Sequence, residues 1–342
     1  MMARRSWLIL TLALATSCSR EPDRVHAFTG PTMGSTYELK VAGSSTSAAT
    51  ARAVVERELR SCDQTFSTWR DDSEIAKVNA HRSTASMQIS ERFAAVLDTA
   101  LRVAAATNGA FDPTVKPLSD LYRAAKADPS TPLALEASVS AAERVGFRMV
   151  TISRDAGGVY LQKSRPDVEL DLDGIVAGAA ADAIAVHLES VGVTNFYLQI
   201  TGEVLCRGAK PDGAPWRIGV VDPSSSAGAP APVVALPLRD AAMCSSGDYR
   251  NRAVVEGEVL HHVLDPRTGR NPARRVASAS VLASSCAVAD ACGTALMVLA
   301  PDEIDAAWSR MKELGATGAL LLLPRSDGSW KKEQLEWPSE DS

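Results

Sequence analysis

The chain has no excess of positive charge. Its 342 residues carry 36 Lys and Arg against 41 Asp and Glu, a formal net charge of -5. A mildly acidic protein matches a nucleic-acid backbone poorly, so no nucleic-acid partner is expected. The apolar stretch near the start, Trp7 to Ala15, is short as well, too short for a stable membrane span. Set apart from Cys18, the six cysteines leave an odd number. Beyond Cys18 there are five, Cys62, Cys206, Cys244, Cys286 and Cys292. At least one is therefore unpaired within the chain, and their spacing fits no zinc pattern. Buried small apolar side chains are the expected role, with Cys286 and Cys292 a candidate disulfide.

What is present begins with Arg4 and Arg5, the apolar run, and Thr16-Ser17-Cys18. This reads as an export signal. Small residues before Cys18 suggest a lipobox that makes Cys18 an acylated anchor on the periplasmic side of a bacterial membrane; simple cleavage after Ala13-Leu14-Ala15 is the alternative. Removing residues 1–18 takes away two positive charges, moving the net charge from -5 to -7 (-5 minus 2). Residues 19–29 read as a tether, 30–325 as the folded body and 326–342 as a polar tail. With 46% hydrophobic residues, the body has ample material for one large core or two packed halves.

Within the body, Tyr37, Leu39 and Val41 alternate as in a half-buried strand. Ala51, Val54, Val55, Leu59 and Cys62 follow helical spacing. The segment Asp63 to Ile75 then alternates aromatics with hydroxyls, a loop able to stack on a planar ring or to plug the core. Ser90 reads as the N-cap of a helix that Asn108-Gly109 stops. Pro113 and Pro117 predict an extended loop from Gly109 to Leu118. A helix near 133–145 should lead into a hairpin turned at Gly157-Gly158. Val168 to Gly178 reads as a strand passing through glycines into a helix over 179–191, an arrangement that binds phosphate on free amides, although Gly-x-x-x-Gly more often means close packing. Strands are expected at 196–200, 216–221 and 319–323, with a last helix over 302–314. Pro223 to Pro232 reads as a mobile loop, Ser245 to Arg250 as a glycine turn, and Glu256-Gly257 as the turn that delivers His262.

The chemistry concentrates late in the chain. Asp290 and Thr294 are four apart and share a helix face. A carboxylate and a hydroxyl one turn apart among Ala, Val, Leu and Met suit a hard cation such as magnesium. The competing reading is a Thr bonded back to its own helix and an Asp favouring the helix dipole. Upstream, His262 and Asp265-Pro266-Arg267-Thr268-Gly269 gather an imidazole, a carboxylate and a guanidinium fit for a phosphate ester.

Taken together these segments resemble one family, the ApbE-type FAD:protein FMN transferases. The resemblance runs through Thr32-Met33-Gly34-Ser35-Thr36-Tyr37, Phe66-Ser67-Thr68-Trp69 with Asp72-Ser73-Glu74-Ile75, Gly109-Ala110-Phe111-Asp112-Pro113-Thr114-Val115, Ser246-Gly247-Asp248-Tyr249, His262 to Gly269, and Ala289-Asp290-Ala291 with Thr294-Ala295-Leu296. It implies an exported, often lipid-anchored enzyme that splits FAD and places the FMN half on a Thr or Ser hydroxyl of a partner redox subunit in a membrane complex. It implies a mixed α/β (α+β) fold, two sheet-and-helix half-domains with the nucleotide in the groove between them. Met33, Trp69, Ala110, Phe111, Asp112, Asp171, Ala177 and Leu264 match flavin-nucleotide positions. Asp290, Thr294 and the carbonyl of Gly174 match magnesium ligands. His262 is the expected base, with Asp265 orienting it or acting on the hydroxyl itself. Three departures stand out. Where the family reads Asp-Leu-Gly-Gly-Ile-Ala-Lys-Gly, this chain has Asp173 for the first Gly and Ala177 for Lys, and its Gln199-Ile200-Thr201-Gly202-Glu203 replaces Asn-x-Gly-Gly-Asp. The alternatives carried by the departures are an FAD-binding lipoprotein without transfer, or a hydrolase yielding FMN and AMP.

Overall fold

The computed structural model describes residues 24–127, 135–225, 231–248, 252–255, 258–261, 263–272 and 274–339. The export signal, Cys18 and His262 lie outside the described residues, as does half of the Pro223 to Pro232 loop. The first strands, β1 (Arg24–Thr32) and β2 (Ser35–Gly43), form a hairpin. Its turn residues Met33 and Gly34 have φ of 47° and 69°, the left-handed pair that a two-residue hairpin turn requires. Then come α1 (Ser45–Phe66), α2 (Glu74–Ala80), β3 (Met87–Ile89) and α3 (Glu91–Ala106). Next are α4 (Lys116–Ala127), α5 (Leu135–Ala142), β4 (Val150–Asp155), β5 (Gly158–Lys163) and α6 (Asp173–Ser190). Strands β6 (Phe196–Ile200), β7 (Glu203–Arg207), β8 (Trp216–Val221), β9 (Pro232–Leu238) and β10 (Ala241–Gly247) follow, then β11 (Arg252–Val255), β12 (Glu258–His261) and β13 (Ser278–Ala283). The chain closes with α7 (Cys286–Val298), α8 (Pro301–Glu313), β14 (Ala316–Pro324) and β15 (Trp330–Leu335).

Eight of these strands make one antiparallel sheet in the order β1-β2-β6-β7-β10-β13-β14-β15. Period-two alternation sends its side chains to two cores. Leu198, Leu205, Val281 and Leu321 join the core beneath α1, α3, α6 and α7. Tyr197, Val204, Cys206, Leu320 and Leu322 point the other way, against Trp216, Ile218 and Leu236 of the β8–β9 hairpin. A smaller sheet, β3-β5-β4, stands apart. The mixed α/β class holds, and the described strands divide as one large sheet with three small ones.

Serines start the main helices. Ser44, Ser73, Ser90 and Ser285 accept from the amides of Ser47, Ala76, Phe93 and Val288, each satisfying a helix-end donor. Several boundaries differ from the sequence reading. Residues 24–29 are not a tether: they pair along β2, and Phe28 packs on the core. The polar tail contains β15, laid on β14 and held by Trp330 Nε1 donating to Asp222 Oδ1 at 2.8 Å. Val168–Leu172 is not a ladder strand. Its backbone bonds go to the Asn79 side chain, which donates to the Leu170 carbonyl at 2.9 Å and accepts from its amide at 2.7 Å. The loop from Gly109 to Leu118 is turned rather than extended, and Pro117 falls in the first turn of α4, where its missing N–H costs nothing. Ser245 and Ser246 sit in β10, not in a turn. The five described cysteines are buried and unbonded, and the thiol nearest Cys286 is that of Cys244 at 3.4 Å, not Cys292.

Candidate active site

Helix α7 is apolar on every side because it is sandwiched between α6 and the large sheet. Its start is fixed by Asp182 of α6, whose carboxylate accepts from the amides of Cys286 (2.8 Å) and Ala287 (3.0 Å) and from Ser285 Oγ (2.7 Å). One turn on, Asp290 Oδ2 accepts from the amide of Gly178 at 3.1 Å. A further turn on, Thr294 Oγ1 lies 3.3 Å from Ser246 Oγ on β10. Gly174 completes the group: a Cβ there would stand 3.3 Å from Thr294 Oγ1 and 3.3 Å from the Phe111 ring. Neither polar side chain follows the competing reading, since Asp290 bonds to a neighbouring helix and Thr294 to a strand. Burial first, then the nearby Glu203 carboxylate, push Asp290 well above the usual carboxylate range. The Asp290 carboxylate and the Thr294 and Ser246 hydroxyls are hard oxygen donors of the kind that fit magnesium.

The first turns of α6 link this group to a cleft of about 250 Å³ lined by Met33, Cys62, Asp63, Phe66, Ser67, Thr68, Trp69, Asp173, Val176, Ala177 and Thr201. Three residues expected from sequence, Met33, Trp69 and Ala177, thus meet there. Trp69 is 91% exposed at the mouth. Its loop is braced by Arg70, which donates to both oxygens of Asp72 at 3.0 and 2.9 Å, and by Ser73 Oγ donating to the Ser67 carbonyl at 2.7 Å. Burial pushes the Cys62 thiol up to about 12, so it is an inert wall rather than a nucleophile.

Ala110, Phe111 and Asp112 are buried beside this region. Asp112 has both oxygens engaged: Oδ1 accepts from Thr114 N (2.8 Å) and Oγ1 (2.6 Å), Oδ2 from Phe147 N (2.7 Å). Burial raises its pKa while these bonds pull it down. Asp171 accepts from the amide of Asp173, the first residue of α6, at 3.0 Å and from Arg123 at 3.2 Å. Burial and the Asp171 carboxylate push Asp173 up to about 6, and water on its 61% exposed side chain damps that shift.

The remaining expected residues stand elsewhere. Leu264 is not among the cleft lining but packs with Leu118, Tyr122 and Ala141 in a satellite core. Asp265 accepts from Arg267 N, Nε and Nη2, each at 2.9 Å, and these bonds organise its own turn. Arg267 extends to Glu303 of α8, and its bonds to Asp265 first and to Glu303 next hold its pKa above the ordinary guanidinium range. The strand pair β11–β12 ends at His261, directly before His262.

Comparison with known proteins gives the same assignment from three directions. A family model described as "ApbE family" matches residues 33–317. The FAD:protein FMN transferase of Vibrio cholerae serotype O1 is 32% identical over 333 residues, covering 95% of each chain. That of Escherichia coli K12 is 31% identical over 290 residues, 83% of this chain and 82% of its own. The solved flavin transferase ApbE from Vibrio cholerae superposes with a TM-score of 0.78 at 30% identity, over 92% of this chain and 97% of that one. The apo flavinyl transferase ApbE of Pseudomonas stutzeri gives 0.77 at 30% identity, over 92% and 95%. The chain belongs to the ApbE family.

Against the ApbE signature quoted above, all three departures border one site. Asp173, Ala177 and Thr201 line the cleft, and Glu203 lies at Asp290. Thr201 occupies φ of 56°, left-handed for a β-branched residue, with Gly202 next at 128°. Sequence reasoning missed Asp173 and Val176 as lining residues and Arg123 altogether. Asp173 had a signal, its place one turn before Ala177 on the same helix face; Arg123, which donates to both Asp171 and Asp173, had none.

Proposed function

We propose that this chain transfers the FMN half of FAD to a Thr or Ser hydroxyl of a partner redox protein, releasing AMP, with magnesium held by Asp290, Thr294 and the Gly174 carbonyl. The observation that carries the reading is the junction of α6 and α7. Its buried oxygen cluster and the aromatic-rimmed cleft share the first turns of one helix, so a diphosphate beside Asp290 leaves the flavin ring within reach of Met33 and Trp69. When bound, the cation supplies neutralisation of charge on the diphosphate and the AMP leaving group. The chain's own residues do the rest. The α6 turn orients the phosphates, Trp69 and Met33 hold the ring at the cleft mouth, and the apolar walls of α7 keep water from the cluster. His262, the next residue in the chain after His261, takes the proton of the acceptor hydroxyl, and Asp265 locks Arg267 and the turn that follows it. Export and acylation at Cys18 would place the site beside membrane redox subunits.

The test mixes the chain from Ser19 onward with FAD, magnesium and a Thr-containing acceptor domain, then reads covalent flavin fluorescence on a denaturing gel. Labelling that disappears with EDTA, in Asp290→Ala and in His262→Ala supports the transfer. Bound FAD with neither label nor AMP sinks it, and AMP without label makes water the acceptor.

A further inference from the structure

The cleft assigned to FAD has the wrong charge for a diphosphate. Among the described residues its lining includes the carboxylates Asp63 and Asp173 and neither Lys nor Arg. A carboxylate beside a phosphate repels it, and water on the 49% and 61% exposed side chains of Asp63 and Asp173 screens only part of that repulsion. Each carboxylate does have a guanidinium behind it. Asp63 Oδ2 lies 3.5 Å from Arg70 Nη1, a weak contact at the loop end near Trp69. Asp173 is gripped more closely. Arg123 Nη2 donates to Asp173 Oδ2 at 3.1 Å and to Asp171 Oδ2 at 3.2 Å, while Nη1 reaches Asp120 Oδ1 at 3.1 Å.

Position separates the two pairs. Asp173 stands in the first turn of α6, next to Gly174, which abuts Thr294, so it lies at the end of the cleft where the phosphates belong. Asp171, its neighbour on the same guanidinium, also holds the amide of Asp173 and so sets where α6 begins. The planar fork of Arg123, with donors aimed in fixed directions, spans three carboxylates from two segments at once, which the single point charge of a lysine cannot do.

We propose that Arg123 is a positioning and specificity residue for the diphosphate of FAD. It holds Asp173 against the start of α6 and offsets part of its charge, so the cleft accepts a nucleotide diphosphate although its described lining has neither Lys nor Arg. The proposal rests on the FAD reading above. It assigns a cause to the pairing of Asp173 with a residue fifty positions earlier in the chain. It also predicts a ligand-selective defect, because neither riboflavin nor the ring end of the cleft meets Asp173 through a phosphate.

The experiment titrates FAD and riboflavin, with magnesium present, by flavin fluorescence against wild type, Arg123→Gln, Arg123→Lys, Asp173→Asn and the Arg123→Gln/Asp173→Asn double variant. Thermal melts run alongside. The expected result is a loss of FAD affinity of roughly tenfold in Arg123→Gln with riboflavin affinity kept, partial rescue in Arg123→Lys, and near recovery in the double variant. In the transfer assay the same variant should raise KM for FAD and leave kcat nearly alone. Unchanged FAD affinity in Arg123→Gln, equal loss of FAD and riboflavin, or a double variant as weak as Arg123→Gln would each overturn the proposal. Wild type that binds no FAD would overturn the function beneath it instead, and that outcome is read from the wild-type titration alone.

Discussion

The amide of Gly178 donates to Asp290 from a point where α6 lies directly on the backbone of α7. A Cβ at Gly178 would stand 2.6 Å from the Cys286 carbonyl carbon and 2.8 Å from the Ala287 Cα. The obstructing atoms are main chain and cannot rotate away, so even one methyl group forces the helices apart. Gly178→Ala should therefore cost about 3 kcal/mol in a urea titration, the range of overpacked cores. Magnesium affinity by calorimetry should fall with it, because the Asp290 bond depends on the same approach. Wild-type stability in this variant would mean the helices have slack that the geometry denies.

Thr201 stores backbone strain beside the cleft. Its φ of 56° belongs to the left-handed region, which β-branched residues avoid and Asn tolerates. Its hydroxyl also donates to Glu203, a bond that an Asn amide can replace. Thr201→Asn should stabilise the protein by about 1 kcal/mol, raising Tm by roughly 2 °C. A lowered Tm would show that the hydroxyl bond outweighs the strain.

That turn also explains part of what the sequence concealed. The strands β6 and β8 were legible to the residue, as was Ser90 at the start of α3, because apolar runs and a capping serine mark them locally. Strand β7 was not, since Thr201 stands where a hairpin turn favours Gly or Asn. Strand β10 is built of small residues and is covered on both faces, so no alternation survives to reveal it. In the site, Asp290 and Thr294 declared themselves by spacing. Arg123 is set by tertiary contacts 48 and 50 residues away, which no local pattern encodes.

Glu58 ties three helices together from a buried position on α1. It accepts from Arg92 Nη2 of α3 at 2.6 Å and from Arg57 Nε at 3.3 Å, and it lies 3.1 Å from His187 Nδ1 of α6. Burial raises its pKa, but the Arg92 hydrogen bond and charge, with His187 and Arg57, outweigh it and leave the carboxyl below its ordinary 4.5. A depressed folded value means the stabilisation is complete above the unfolded pKa and is lost as pH falls through the folded one. Glu58→Gln should thus cost about 2 kcal/mol at pH 7, with the gap to wild type closing below about pH 4. A gap of constant size across that range would assign the loss to packing rather than charge.

Asp265 and Arg267 allow the base and the scaffold to be told apart. All three described acceptor contacts of the Asp265 carboxylate go to Arg267, and Arg267 goes on to the α8 residue Glu303, whose Oε2 accepts from the Ala300 amide at 2.9 Å. The turn is therefore one unit with the start of α8. Asp265→Ala and Arg267→Ala should each destabilise by about 3 kcal/mol, and the double variant should fall well short of the sum, since either change alone leaves the other charge without its partner. A proton-accepting Asp265 would behave differently. Its loss would leave stability intact while removing the acidic limb from the pH profile of transfer. Parallel melts and pH profiles on the same variants separate the two, and the fork of bonds around Arg267 predicts lost stability with the shape of the profile kept.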